Sequence, residues 1–201
     1  MENIILTLDN GTKKEYVKGI KIKEVLQNLK KENTKEIIFA RYNGKILEEE
    51  DTITKSGKLS LYDLNTMQGN KAYERGLLFL FEHCALEVLG PNTPIFVKYS
   101  IDKGIFCKID SQITQEDVTK IKKLMKEKVK AELPFTKIET TKAEAIAYFK
   151  SLNREDKIKT LFYNTSNYLS LYKLEDKYNY IIGSLPNNTR VLKYFDLSLK
   201  K

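Results

Sequence analysis

Apolar and polar positions change their period several times within the first 65 residues. Residues 3–17, NIILTLDNGTKKEYV, hold two apolar-rich runs on either side of Asp9-Asn10-Gly11. Asn-Gly supplies the positive φ values that tight hairpins need, so this stretch predicts two strands and a turn. In IKIKEVLQNLKKEN, residues Ile22, Val25, Leu26 and Leu29 recur at helical spacing and predict an amphipathic helix. KEIIFARYNGKIL predicts a strand, a second turn at Asn43-Gly44 and a strand start. KLSLYDLN then alternates Leu59 and Leu61 with polar neighbours. Hairpin, helix and two further strands in so short a span predict a β-grasp, a small mixed sheet with one helix across it.

From Met67 the grammar changes. NKAYERGLLFLFEHCALEVLG repeats apolar residues (Leu77, Leu78, Leu80, Phe81, Cys84, Ala85, Val88, Leu89) with a period near 3.6, a long helix that Gly90-Pro91-Asn92 stops. IFVKYSIDKGIFCKID predicts two strands around Asp102-Lys103-Gly104. TQEDVTKIKKLMKEKVKAEL predicts a second helix, with Thr114 as its cap and Asp117 as the reciprocal carboxylate of a capping box. TKAEAIAYFKSL and NREDKIKTLFY predict shorter helices, the latter with Asn153 as candidate cap. YLSLYKLEDKYNYIIGSL predicts a hairpin around Glu175–Lys177. Helices and antiparallel hairpins in mixed order predict an α+β fold with two domains, residues 1–65 and 67–201.

Composition refines this picture. The longest apolar run, LLFLF, falls far short of the ~18 residues of a spanning helix, so no membrane is expected as partner. The start MENIILTLDNG has no basic end before an apolar stretch and predicts no secretion signal. Two cysteines, Cys84 and Cys107, then fit a reducing cytoplasm and no disulfide framework. The net charge is +8, unevenly spread: residues 1–66 carry 12 basic and 11 acidic side chains, the remainder 23 and 16. A basic second half suits a phosphate-bearing partner such as RNA or a nucleotide, or else is simply a solvated lysine-rich surface.

Candidate chemistry concentrates in ERGLLFLFEHCALEVLG, which holds the single histidine of the chain, His83, beside Cys84. Cys84 lies on the apolar stripe and reads as a small buried hydrophobe. His83 lies one residue off the stripe, near Glu82 and Glu87, and reads as a partly exposed or hydrogen-bonded side chain. Neighbours on a helix point about 100° apart, so the two do not form a base–nucleophile pair. Cys107 is a thiol on a strand.

Two resemblances follow from these segments. TLDNGTKKEYVKG, RYNGKILEEEDTI and GKLSLYDLN, in that order over residues 2–64, resemble a TGS domain, an accessory module of threonyl-tRNA synthetases and of several GTPases. The long helix, SIDKGIFCKID, ITQEDVTKIKKLMKEKVKAELPF and the terminal hairpin, over residues 70–196, resemble the editing domain of threonyl- and alanyl-tRNA synthetases. In that family two histidines four apart on the first helix, with a later Cys-x-x-x-His, form a zinc-type site that hydrolyses mischarged tRNA. Counted from Pro91 and from Pro186-Asn187, those positions here hold Gly76, Leu80, Tyr180 and Ser184. All four ligands are gone, so the resemblance implies a cleft without metal, lined by Arg75, Gly76, Leu80, Tyr180 and Ser184.

GNKAYERGLLFLFEHCALEVL, VKYSIDKGIFCKI, YNYIIGSLPNNT and VLKYFDL also resemble a group of bacterial proteins. These carry both domains ahead of a kinase of the uridine kinase/phosphoribulokinase type. This implies a non-catalytic accessory region with a kinase portion to follow in the same parent chain; ATP and Mg²⁺ would belong to that portion and no cofactor to this one. The chain has no G-x-x-x-x-G-K-[ST] phosphate loop, since Gly44-Lys45 and Gly57-Lys58 precede Ile46 and Leu59. The alternative is an RNA-binding module in its own right. It would use Lys120, Lys122, Lys123, Lys126, Lys128 and Lys130 of the basic helix, with Arg190, Tyr99, Tyr178 and Tyr180 for phosphate or stacking contacts. A third reading keeps editing hydrolysis without metal, through Cys107 or Asp102.

Overall fold

The computed structural model describes residues 2–32, 36–101 and 104–200. Asp102 and Lys103, on which one predicted turn and one catalytic reading fall, lie outside the described residues. The chain is α+β and forms two compact units. The first comprises residues 1–77, 134–136 and 182–192, the second 78–133, 137–181 and 193–201.

In the first unit, strand β1 (Asn3–Leu8) pairs antiparallel with β2 (Lys13–Val17). Between them only Gly11 takes a positive φ, 83°. Asn10 does not, which corrects the expectation of a two-residue Asn-Gly turn. The loop is longer: Gly11 N–H bonds Leu8 O, and Leu8 N–H bonds Thr12 O. After β3 (Ile20–Lys21), helix α1 (Ile22–Glu32) spends its apolar stripe on the sheet. Strands β4 (Ile37–Tyr42) and β5 (Lys45–Leu47) are joined by Asn43 and Gly44, both at positive φ (47° and 84°), the two-residue turn expected there. Strand β6 (Thr52–Ile53) pairs with β3, and β7 (Gly57–Asp63) completes the main sheet. The sheet order is β2-β1-β7-β4-β5, with β1 and β7 parallel in its centre and the other pairs antiparallel. Such a central parallel pair needs a crossover, and α1 lies within it. Ile4, Leu6, Ile22, Val25, Leu29, Ala40, Leu47, Ile53 and Leu59 form an apolar core. Residues far along the chain join this unit: Phe135 N–H bonds Asn187 O, and Asn187 N–H bonds Ile38 O.

Helix α2 (Met67–Leu89) begins in the first unit and ends in the second. The second unit continues with the β8 (Ile95–Ile101) and β9 (Gly104–Ile109) hairpin. Helix α3 (Gln115–Lys130) follows, and Thr114 and Asp117 form the expected capping box: Asp117 N–H bonds Thr114 Oγ1 at 3.2 Å, and Thr114 N–H bonds Asp117 Oδ2 at 2.9 Å. Strand β10 (Thr136–Thr141) is an element that the sequence reading missed. It mixes partly buried and exposed residues but carries five polar side chains in six. Helices α4 (Lys142–Ser151) and α5 (Glu155–Phe162) come next. Asn153 does not cap α5. Its φ is 53°, and the cap residue is Arg154, without a side-chain bond. Strands β11 (Tyr168–Leu174) and β12 (Lys177–Asn179) form the expected hairpin, with Glu175 at φ 52° in its turn. The second strand ends at Asn179, so Tyr180 to Leu185 fall outside the hairpin. The sheet runs β10-β11-β12, and Ala145, Phe149, Leu161, Leu169 and Leu171 pack as a core cluster.

Candidate functional site

The residues expected to line a metal-free cleft divide between the units. Arg75, Gly76 and Ser184 belong to the first, Leu80 and Tyr180 to the second. Each has a definite surrounding. A Cβ on Gly76 would stand 2.7 Å from Pro186 Cδ and 2.9 Å from Cγ, so the proline ring fills the space where a side chain would start. Leu80 is fully buried. Tyr180 is half-buried, and its hydroxyl accepts a hydrogen bond from Asn164 Nδ2 at 3.1 Å. Ser184 is 6% exposed. The Arg75 guanidinium lies against Gly183, whose φ is 112°; a Cβ there would meet Arg75 Cζ at 2.8 Å and its terminal nitrogens at 2.9 and 3.1 Å.

A second cluster belongs wholly to the second unit. On α2, His83 and Glu87 are one turn apart; Lys128 comes from the last turn of α3 and Glu175 from the β11–β12 turn. His83 is 3% exposed, which removes the partly exposed alternative, and its Nε2 bonds Glu175 Oε2 at 2.8 Å. Burial and then the Lys128 charge hold the imidazole pKa below its usual value, against the opposing pull of Glu175. The neutral ring therefore donates from Nε2, and its buried Nδ1 has no hydrogen-bond partner. Cys84 is fully buried, and burial pushes its thiol up to about 12, as expected of a core cysteine. Burial also raises the Cys107 thiol, which disfavours the thiolate a nucleophile needs.

His83, Glu87 and Glu175 are the one group of potential metal donors among the described residues, within 4.8 Å of one another. They do not fit a metal. The Lys128 ammonium sits 2.5 Å from Glu175 Oε2 and 3.2 Å from Glu87 Oε2, so the chain's own cation already balances both carboxylates. Burial lowers the Lys128 pKa, but its two carboxylate partners outweigh this and raise it. Zinc would need three or four open donors at about 2.0–2.3 Å.

Sequence reasoning missed a third group. Arg154 bonds Asp156 through Nε and one terminal nitrogen, at 2.8 Å each, and pairs with Glu82 through the other. Asn179 Nδ2 donates to Glu82 at 2.8 Å. Burial would raise the Asp156 pKa, yet the Arg154 guanidinium outweighs it and holds the carboxyl below its usual value. Beside them Lys157 Nζ donates to Tyr180 O at 3.3 Å. Burial and the neighbouring Arg154 push its pKa down to about 8. An amine of this kind exchanges its proton near neutral pH and can hold or release an anion. Its one sequence signal is the run Arg154-Glu155-Asp156-Lys157, which looks like any solvated helix start.

The basic helix is less free than its composition implies. Lys120 pairs with Glu116 at 2.8 Å, Lys123 with Glu127 at 4.0 Å, Lys122 with Asp196, and Lys128 is internal. Lys126 and Lys130 have no ion pair among the described residues. Arg190 lies in a 3-10 turn, Thr189–Val191, and its N–H bonds Asn188 Oδ1 at 3.0 Å. Tyr99 is 55% exposed and stacks tilted on Phe106. Tyr178 instead packs edge-on against Tyr148, which occupies it within the sheet face.

No family model matches the chain. Among curated proteins it is similar to threonine–tRNA ligases. It is 26% identical to that of Syntrophotalea carbinolica over 202 residues, 98% of this chain and 32% of the relative. It is 26% identical to that of Syntrophomonas wolfei over 160 residues (79% and 25%) and 29% identical to that of Flavobacterium johnsoniae over 150 (73% and 23%). The chain thus spans about a third or less of the length of the curated relatives it matches. No helix among the described residues is long and apolar enough to cross a membrane.

Proposed function

We propose that the chain is an RNA-binding module of threonyl-tRNA-synthetase descent that recognises tRNA without metal-dependent editing. The observation that carries this reading is the similarity to threonine–tRNA ligases over 98% of the chain. It is combined with Gly76, Leu80, Tyr180 and Ser184 at the positions where the editing family holds its ligands. The TGS-like character of residues 1–65 and the editing-like character of residues 67–201 belong to the same reading. Electrostatics agree: the chain carries +8, and Lys126, Lys130 and Lys157 have no carboxylate partner within ion-pair distance among the described residues. RNA binding of this origin is driven by phosphate contacts and falls steeply with salt.

The test is binding of fluorescent tRNA across a salt series, with hydrolysis of mischarged seryl-tRNA followed in parallel. Binding that weakens steeply from 50 to 200 mM salt, without deacylation, is the expected result. Absent or salt-independent binding overturns RNA recognition; steady deacylation overturns the non-hydrolytic part. The accessory-region reading, with a uridine-kinase-like portion following in the same chain, rests on the sequence resemblance alone. The three relatives quoted above are ligases.

A further inference from the structure

We propose that Phe162, Tyr163 and Tyr168, flanked by Lys142 and Lys159, form a stacking platform for unpaired nucleotides of RNA in the second unit. The platform rests on the RNA reading and deepens it, because it names the part of the RNA that this surface takes. Three rings within residues 162–168 face solvent, 67, 89 and 71% exposed. The two units differ in this respect. Among the described residues the large apolar side chains exposed by the first are Ile5, Val17, Met67 and Ile182, none of them aromatic. In the second, all but Val97 are aromatic. Single aliphatic residues on a surface are ordinary, whereas three rings on one short segment mark an interaction surface. Elsewhere in this unit rings occupy one another: Tyr148 meets Phe149 and Tyr178 edge-on. Among the described residues no ring pair or cation covers Phe162, Tyr163 or Tyr168, so their faces are open.

The segment that carries the rings is tied down. Leu161 and Leu169, just before and just after it, are buried in one core cluster. Between them Asn164 N–H bonds Leu161 O at 3.1 Å, Ser166 N–H bonds Asn164 Oδ1 at 2.9 Å, and Tyr168 N–H bonds Ser166 Oγ at 3.2 Å. Lys142 N–H bonds Asn167 O at 2.8 Å and holds the loop to the start of α4. Rings with few rotatable bonds on a fixed loop lose little freedom when a ligand stacks on them. Charge then selects the ligand. Lys142 Nζ lies 2.6 Å from Asn164 O, and its other two protons have no acceptor among the described residues. Lys159 precedes Phe162 by three positions and Tyr163 by four, so it is their neighbour on the surface of α5. Neither lysine has a carboxylate within ion-pair distance among the described residues, unlike Lys120, Lys122 and Lys128. Open rings beside unneutralised ammonium groups fit bases and the phosphates that join them. A duplex hides its base faces, so the fit is to unpaired nucleotides. A second copy of this chain fits worse: in a two-fold dimer the same patch meets itself, and these lysines would face their own kind.

The chain has no tryptophan, so Tyr163→Trp supplies a single indole that keeps an aromatic face and reports stacking by its fluorescence. The whole chain is titrated with a short polyadenylate strand, and with the same strand annealed to polyuridylate. Saturable quenching by the single strand, at least about tenfold tighter than by the duplex, is the expected result. Adding Tyr168→Ala should weaken single-strand binding about tenfold and leave its salt slope unchanged. Adding Lys159→Gln instead should lower that slope by about one. No quenching, equal affinity for the duplex, or an affinity indifferent to Tyr168→Ala overturns the platform. The thermal midpoint of each variant checks its fold; where Tyr168→Ala lowers it, Phe162→Ala decides by the same criterion. Quenching that grows with protein concentration and needs no RNA puts a second copy on this face and overturns the platform too. Salt-dependent tRNA binding is then compared between the unaltered chain and one carrying both Tyr163→Ala and Tyr168→Ala. Undiminished tRNA binding in the double variant overturns the platform alone. Single-strand quenching without tRNA binding overturns the tRNA reading alone.

Discussion

The two units dispose of a lysine-rich sequence in opposite ways. In the first, charge pairs stay outside: Lys18–Glu2, Lys21–Glu50, Lys23–Glu50 and Lys58–Asp9 join side chains that are all 40% or more exposed. The interior beneath them is apolar, from Ile4 to Leu59. The second has exposed pairs too, such as Lys120–Glu116, but it also takes ionisable groups inward: the side chains of His83, Lys128 and Arg154 are 2, 11 and 13% exposed. Exposed pairs contribute little to stability, because solvent screens them and holding long side chains costs entropy. Inward charges have the reverse character. They add modestly when complete and cost heavily when one partner is lost. The first unit should therefore answer mainly to changes of volume, the second to changes of charge.

The largest effect should come from breaking an inward pair. Arg154→Ala leaves Glu82 and Asp156 uncompensated and should cost about 3–5 kcal/mol in urea unfolding. Glu82→Gln added to it should restore part of that loss, whereas no charge change should rescue Leu6→Ala, which costs about 2–5 kcal/mol through its cavity. A double mutant no more stable than Arg154→Ala would break the comparison. Next comes Gly76→Ala, whose methyl group overlaps the Pro186 ring; about 1–3 kcal/mol of overpacking is expected, read as a lower thermal midpoint.

A smaller effect is expected from pH. The His83 pKa is depressed in the fold, so between the folded value and the usual 6.5 the unfolded chain binds the extra proton. This contribution is complete above pH 6.5 and is lost as pH falls through the folded value. The thermal midpoint should drop between pH 7 and 5.5, and His83→Gln should flatten that slope; an unchanged slope sinks the assignment. The smallest effect is Asp9→Asn, which removes an exposed partner of Lys58 and should leave the urea midpoint within error.

Local signals were legible in the sequence. Asn43-Gly44, the Thr114–Asp117 box and the apolar stripe that buries Cys84 each involve residues within a few positions of one another, and each sits where the pattern put it. The misses share a different physics. Asn153 looked like a cap because capping residues are common there, but its left-handed φ turns the chain before Arg154 starts the helix. β10 is polar in composition, and its strand state comes from pairing with β11. The Glu82–Arg154–Asp156 pairing and the burial of Lys128 join residues from separate elements, and no spacing rule can read such partners. A lysine on a helix looks the same in sequence whether it faces water or a histidine.

The internal position of Lys128 has a consequence for covalent modification. An acetyl group on its amine would cancel the Lys128 charge that lies between Glu87 and Glu175 and leave two carboxylates facing each other beside the His83 Nε2–H. The folded chain shields that amine from the reagent by the same contacts. Among the lysines of α3, acylation should therefore mark Lys126 and Lys130 early and reach Lys128 only in molecules that have already opened, so that its modification reports unfolding and not surface chemistry.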